Sequence, residues 1–133
     1  MNSATIRPAV SARAPDTVLL LEEDVVVRAF IAEYLRSCGY RVLETRSTEE
    51  ALSVLQESSL PIRAVLSGAE SGFRLAGWVK AHRPKIKIIL AATAERAARA
   101  AAGLCDSGPH RKRPYDPQLL VQQIRAGLAK GLD

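Results

Sequence analysis

Residues 17–45, TVLLLEEDVVVRAFIAEYLRSCGYRVLET, decide the fold. Thr17 to Leu21 is a short unbroken apolar run, as expected of a strand buried on both faces. The acidic triplet Glu22-Glu23-Asp24 follows it. Val27, Phe30, Ile31, Tyr34, Leu35 and Cys38 then recur at i, i+3, i+4, i+7, i+8 and i+11, which is one face of a helix. Gly39 suits the position just past a helix end, where a left-handed residue closes the last turn. Arg41 to Thr45 reads as a second strand, with Val42 and Leu43 its apolar part.

The same alternation continues to the carboxyl terminus. Ser47-Thr48-Glu49-Glu50 has the form of a capping box and opens a helix carrying Ala51, Leu52, Val54 and Leu55. Ile62 to Leu66 is a third strand. Gly72 to His82 is a helix with Phe73, Leu75, Ala76 and Val79 apolar, and Pro84 prevents its continuation. Ile86 to Ala91 is a β-branched fourth strand. Ala94 to Ala102 is alanine-rich and helix-forming, with Gly103 as its stop. Ser107 to Arg113 is the place for a fifth strand, although Ser-Gly-Pro-His-Arg-Lys-Arg suits one poorly. Asp116-Pro117 forms an N-cap and first-turn pair, and Leu120, Val121, Ile124 and Leu128 line the last helix. Residues 1–16, rich in Ala, Ser, Pro and Arg, read as a tail, and 131–133 as a second one.

Composition bounds what such a chain can do. Its 133 residues suffice for one cored domain, and 47% hydrophobic with 25% charged residues excludes a mostly disordered chain. The net charge is +5, from 14 arginines and 5 lysines against 14 acids, which permits an acidic partner without naming one. Two cysteines, Cys38 and Cys105, read as thiols rather than a disulfide framework. Cys38 is expected on the buried helix face and Cys105 nearer the surface. With two histidines, His82 and His110, no structural zinc set is visible. No apolar run approaches a membrane span and the amino terminus lacks a signal-peptide core, so the expected compartment is the cytoplasm.

Strands and helices in strict alternation imply an α/β fold with a doubly wound parallel sheet. Ligands of such sheets bind in the crevice at the carboxyl ends of the strands. Over residues 17–130 the pattern resembles the receiver domain of bacterial response regulators. The resemblance is carried by Val18-Leu19-Leu20-Leu21-Glu22-Glu23-Asp24, Gly39-Tyr40-Arg41-Val42, Glu49-Glu50-Ala51-Leu52 and Arg113-Pro114-Tyr115-Asp116, in that order and spacing. The segment Gly77 to Pro84 fits as well. The resemblance implies five strands in the order 2-1-3-4-5 with five helices, as in flavodoxin-like folds.

It also implies phosphoryl transfer from a histidine kinase to an aspartate after the third strand, with an acidic pair holding the divalent cation that offsets the incoming charge. At nearly each of those positions the sequence departs. The acceptor place holds Ser67 or Gly68, neither a carboxylate. The loop after the third strand is short by about three or four residues against the family pattern. The Thr/Ser place holds Ala91, or Ala92 if shifted by one, with Thr93 one step beyond. The lysine is Arg113, and the aromatic that moves on activation is His110. Glu22 and Glu23 keep the acidic pair, but without a third carboxylate Mg²⁺ binding is expected to be lost or weak. Arg113 is expected to fold into the pocket and pair with Glu22 or Glu23, its fork replacing the cation's charge.

The leading functional expectation is a stand-alone degenerate receiver that signals by protein–protein interaction and is not an enzyme. No output domain follows it in this sequence. A rival reading keeps phosphorylation through a displaced acceptor, Glu70 or Ser67. The basic residues Arg96 and Arg99 on the fourth helix, with Arg111 and Lys112 beyond it, fall where receivers dimerise or dock, on the face of helix four, strand five and helix five. A histidine kinase or another two-component protein is the expected partner, and a homodimer through that face is compatible. A nucleic-acid-binding role has the charge in its favour, but no helix-turn-helix and no stacking aromatics beside the basic run.

Overall fold

The computed structural model describes residues 16–57, 60–110 and 112–131. The elements are β1 (Thr17–Leu21), α1 (Val25–Ser37), β2 (Arg41–Thr45), α2 (Thr48–Glu57), β3 (Ala64–Ser67), α3 (Ala69–His82), β4 (Lys87–Leu90), α4 (Ala94–Asp106) and α5 (Pro117–Gly131). The expected amino-terminal tail, apart from Asp16, lies outside the described residues, as do Arg111 and the last two positions.

The sheet is parallel throughout, in the order β2-β1-β3-β4. β1 is central, with Leu19 opposite Leu43 on one side and Val65 on the other. Its side chains alternate between two cores, as the period of a strand requires. Val18 and Leu20 enter one core with Ile31, Leu35, Ala98, Ala101, Leu120 and Ile124. Leu19 and Leu21 enter the other with Ala51, Leu55, Leu75 and Val79. Three helices, α1, α4 and α5, therefore cover one face, and α2 and α3 the other.

Local signals explain most boundaries. Gly39 adopts φ 104°, the left-handed closure that its position after α1 requires. Ser47 Oγ accepts the Glu50 N–H at 3.1 Å, while the Glu50 carboxylate accepts the Arg46 N–H at 2.8 Å, one residue earlier than an ideal capping box. Asp116 caps α5 through the Gln118 N–H.

Four expectations are corrected. There is no fifth strand among the described residues, so the sheet has four strands and the order ends at β4. Gly103 does not stop α4, which runs on to Asp106. A glycine inside a helix costs only about 1 kcal/mol, and the following Leu104 and Cys105 anchor the last turn in the core. The extension consumes chain, and what remains includes Pro109, which has no N–H to give a ladder. α3 starts at Ala69, not Gly72, so the loop after β3 is reduced to Gly68.

The fourth correction concerns the cysteines. Cys38 and Cys105 form a disulfide, with Cα atoms 5.6 Å apart, and both are buried. It ties the end of α1 to the end of α4. Nearby, Tyr40 Oη donates to the Leu104 carbonyl at 2.6 Å and Arg63 Nη1 to the Ser107 carbonyl at 2.9 Å. The argument for a cytoplasmic compartment that rested on free thiols therefore falls. Among the described residues no helix is long and apolar enough to cross a membrane.

Candidate functional site

The carboxyl ends of β1, β3 and β4 open into a crevice of about 540 Å³. Its wall is acidic on one side, from Glu22, Glu23, Asp24 and Glu70, and small on the other, from Ala91, Ala92 and Thr93. This is where a doubly wound sheet places a ligand.

The acidic loop is organised by two residues whose roles the sequence reading missed. Asp24 is the N-cap of α1, its Oδ1 accepting the Val26 and Val27 N–H groups at 2.8 and 3.1 Å. Arg28 reaches back from the first turn, donating from Nη1 to the Glu22 carbonyl at 2.8 Å and lying 3.6 Å from Glu44. A cation in a helix's first turn opposes the helix dipole, so an arginine there signals an anionic or carbonyl partner close by.

The two glutamates do not converge. The Glu22 carboxylate accepts the Asp24 N–H at 3.0 Å, and Glu23 Oε2 accepts Ser71 Oγ at 3.4 Å. Burial pushes the Glu22 carboxyl above the usual carboxylate range, and the charges of Asp24 and Glu23 add to this, against the pull of the Asp24 N–H and Arg28. Among the described residues no three His, Cys, Asp or Glu side chains are arranged so that they could hold a metal ion. A divalent cation of the receiver type does not fit these donors, because one carboxylate is already engaged by backbone and the third is missing.

Ser67 ends β3 and is buried, at 2% exposure, with its hydroxyl donated to the Gly68 carbonyl at 2.9 Å. It does not line the crevice. The first turn of α3 covers it: a Cβ placed on Gly72 would lie 2.9 Å from Ser67 Oγ and 2.3 Å from Leu90 Cδ2. Gly68, by contrast, does line the crevice as the N-cap of α3, without a side chain to offer. Glu70 is exposed at its rim.

The remaining candidates are dispersed. Ala91 is buried at the crevice wall. Thr93 is used as the N-cap of α4, its Oγ1 accepting the Arg96 N–H at 3.1 Å. Arg113 does not enter the pocket. It forms a two-pronged pair with Asp106, at 3.0 and 2.9 Å, because the chain turns back after α4 and returns the arginine to that helix's last residue. The expected Arg113–Glu22 or Arg113–Glu23 pair is thus overturned, and Arg28 is the arginine at the acidic loop. His110 sits at the opposite end of the sheet, packed over Gly39, whose added Cβ would lie 2.4 Å from the His110 ring.

Arg96 and Arg99 are exposed on α4, and Lys112 is exposed beyond it. α4 and α5 pack directly on each other, linked by an Arg125–Glu95 ion pair, with no strand between them among the described residues. The composite face of helix, strand and helix is therefore not formed as expected.

No protein-family model matches this sequence. Over 108 residues, 81% of the chain, it is 26% identical to the "uncharacterized transcriptional regulatory protein YbdJ" of Bacillus subtilis (strain 168), of which the match covers 48%. Over 74 residues, 56% of the chain, it is 26% identical to a cyclic di-GMP phosphodiesterase of Thermotoga maritima, of which it covers 20%. The chain thus matches less than half the length of either relative. The likeness agrees with a signalling or regulatory domain of parallel α/β fold.

Proposed function

We propose that this chain is a degenerate receiver module, which signals by binding a protein partner and does not carry a phosphoryl group on an aspartate. The observation that carries the reading is the state of the β3 terminus. The residue at the acceptor position is a serine, it is buried, and the first turn of α3 lies over it. A nucleophile must reach its substrate's phosphorus in line, and a covered hydroxyl with its proton given to Gly68 cannot. The acidic pair survives as a structural element, fixed by Asp24 and Arg28, in place of a cation site. A histidine kinase or another two-component protein is the partner class that follows from this reading.

The test is to incubate the protein with acetyl phosphate and Mg²⁺ and weigh it intact. The expected result is an unchanged mass. A stoichiometric, base-labile adduct overturns the proposal. If Glu70→Gln then removes that adduct, the displaced-acceptor reading takes its place.

A further inference from the structure

Among the described residues β4 forms one side of the sheet, pairing with β3 and with no other strand. In the parallel ladder Lys87 and Ala91 donate to the Arg63 and Ser67 carbonyls. The period of two then turns the N–H and C=O groups of Ile88 and Leu90 away from β3. No hydrogen bond reaches those N–H groups among the described residues. In the proposed relatives' topology a fifth strand would cover this edge. Here the chain after α4 runs instead past Tyr40 and Gly39 towards α1, where Tyr34 Oη donates to the Tyr115 carbonyl.

Beside the open edge lies an apolar groove of about 440 Å³, between α3 and β4, lined by Ala76, Gly77, Val79, Lys80, Ile86 and Ile88. Phe73 continues the same helix face one turn earlier and is 67% exposed. A Cβ on Gly77 would meet nothing within 4 Å, so the groove has room along the helix. Lys80 lines the groove, while Lys85 and Lys87 lie along the edge itself, Lys87 on the sheet face opposite Ile86 and Ile88; all three are exposed and none is in an ion pair among the described residues.

We infer that this edge and groove take an extended acidic segment of a partner protein, added to the sheet as its fifth strand. Main-chain bonds to Ile88 and Leu90 would supply the pairing, and alternate apolar side chains would enter the groove. Charge selects the occupant. Lysines on an edge guard against neutral and basic strands. A second copy would set Lys85 and Lys87 against lysines. The chain's own residues 1–15 contain Arg7 and Arg13 and no acid, so they are equally mismatched. A strand alternating apolar and acidic residues meets the groove with one face and the Lys87 side of the edge with the other. The inference stands on the sheet edge and does not depend on the chemistry of the crevice, so its failure leaves the acetyl phosphate result untouched.

The probe is a labelled synthetic peptide, Val-Glu-Ile-Glu-Val-Glu-Ile, with a control in which each Glu is Lys. Fluorescence anisotropy should show the acidic peptide binding at least about tenfold more tightly than the control. Amide NMR should show Ile88 and Leu90 N–H signals moving and gaining exchange protection. Lys85→Glu with Lys87→Glu should abolish the preference, and Gly77→Leu, which fills the groove, should weaken binding. Equal affinity for the two peptides overturns the inference, as does an absence of binding up to about 1 mM. So do shifts confined to Arg96 and Arg99, or self-association of the protein through Ile88 and Leu90.

Discussion

The two ends of the sheet have been treated differently by this sequence. At the amino end, α1, β2 and α4 are fastened by a disulfide, by Tyr40 on the Leu104 carbonyl and by Arg63 on the Ser107 carbonyl. At the carboxyl end, where parallel α/β sheets place their ligands, an acidic loop lines the crevice and the first turn of α3 lies over the end of β3. The covalent tie lies at the amino end, while the crevice at the carboxyl end is held by hydrogen bonds and ion pairs alone. That contrast suits a scaffold that presents surfaces better than one that must move in response to a phosphoryl group.

The largest effect should come from cutting the fastening. Cys38 and Cys105 are 67 residues apart in sequence, and constraining so long a loop in the unfolded chain is worth about 4 kcal/mol. Urea unfolding of a Cys38→Ala, Cys105→Ala double variant should show a loss of that order. A loss under about 1 kcal/mol would mean that the alanine face of α4, Ala97, Ala98, Ala101 and Ala102, docks it unaided. The amino end would then be no more fastened than the other.

Placing a carboxylate at the end of β3 probes the opposite end. Ser67→Asp would place an acid at a position 2% exposed, beneath the first turn of α3. An uncompensated buried charge costs about 3 kcal/mol or more. The variant should unfold at lower urea and still gain no mass with acetyl phosphate. A stable Ser67→Asp protein that takes up phosphate would show that the site is short of one atom group only, not closed.

Gly72→Ala sharpens the same point at smaller scale. Its Cβ would meet Leu90 Cδ2 at 2.3 Å and Ser67 Oγ at 2.9 Å. Leu90 can swing away but the β3 end cannot, so a loss of about 1–3 kcal/mol is expected in thermal unfolding. A neutral Gly72→Ala would mean that the first turn of α3 can lift from Ser67.

How far these ends could be read from the sequence differs in the same way. The alternation of strand and helix, the Gly39 closure and the faces of α1 and α5 follow from local periodicity, and the structure has them where spacing put them. So too with the acidic loop after β1. What could not be read depends on where α4 docks. The Cys38–Cys105 bond, the extension through Gly103, the absence of a fifth strand among the described residues and the Arg113–Asp106 pair all follow from α4 lying on α1 and α5. An alanine-rich helix carries little signal about which neighbour it meets, since its small side chains fit many. Arg113 was assigned a pocket by position along the chain, whereas its partner was fixed by a turn seven residues long. Spacing puts Phe73 on the apolar face of its helix, yet it is 67% exposed, because a helical period does not say whether anything packs on that face.

The smallest effect concerns charge in the crevice. Burial, together with Asp24 and Glu23, raises the Glu22 carboxyl above its ordinary value of 4.5. A carboxyl whose folded-state pKa exceeds its unfolded one binds a proton more readily in the fold than in the free chain. Its ionised form therefore destabilises the fold at pH above the folded value. That penalty fades as pH falls through the folded value, and it is gone below the unfolded one. Glu22→Gln removes the charge and keeps an oxygen to accept the Asp24 N–H. The variant should be slightly more stable than the parent at about pH 7 and equal to it at about pH 4. Urea midpoints at the two values measure this. If Glu22→Gln instead destabilises the protein near neutrality, the acid is held by a favourable partner, and the carboxyl end is as firmly fastened as the amino end.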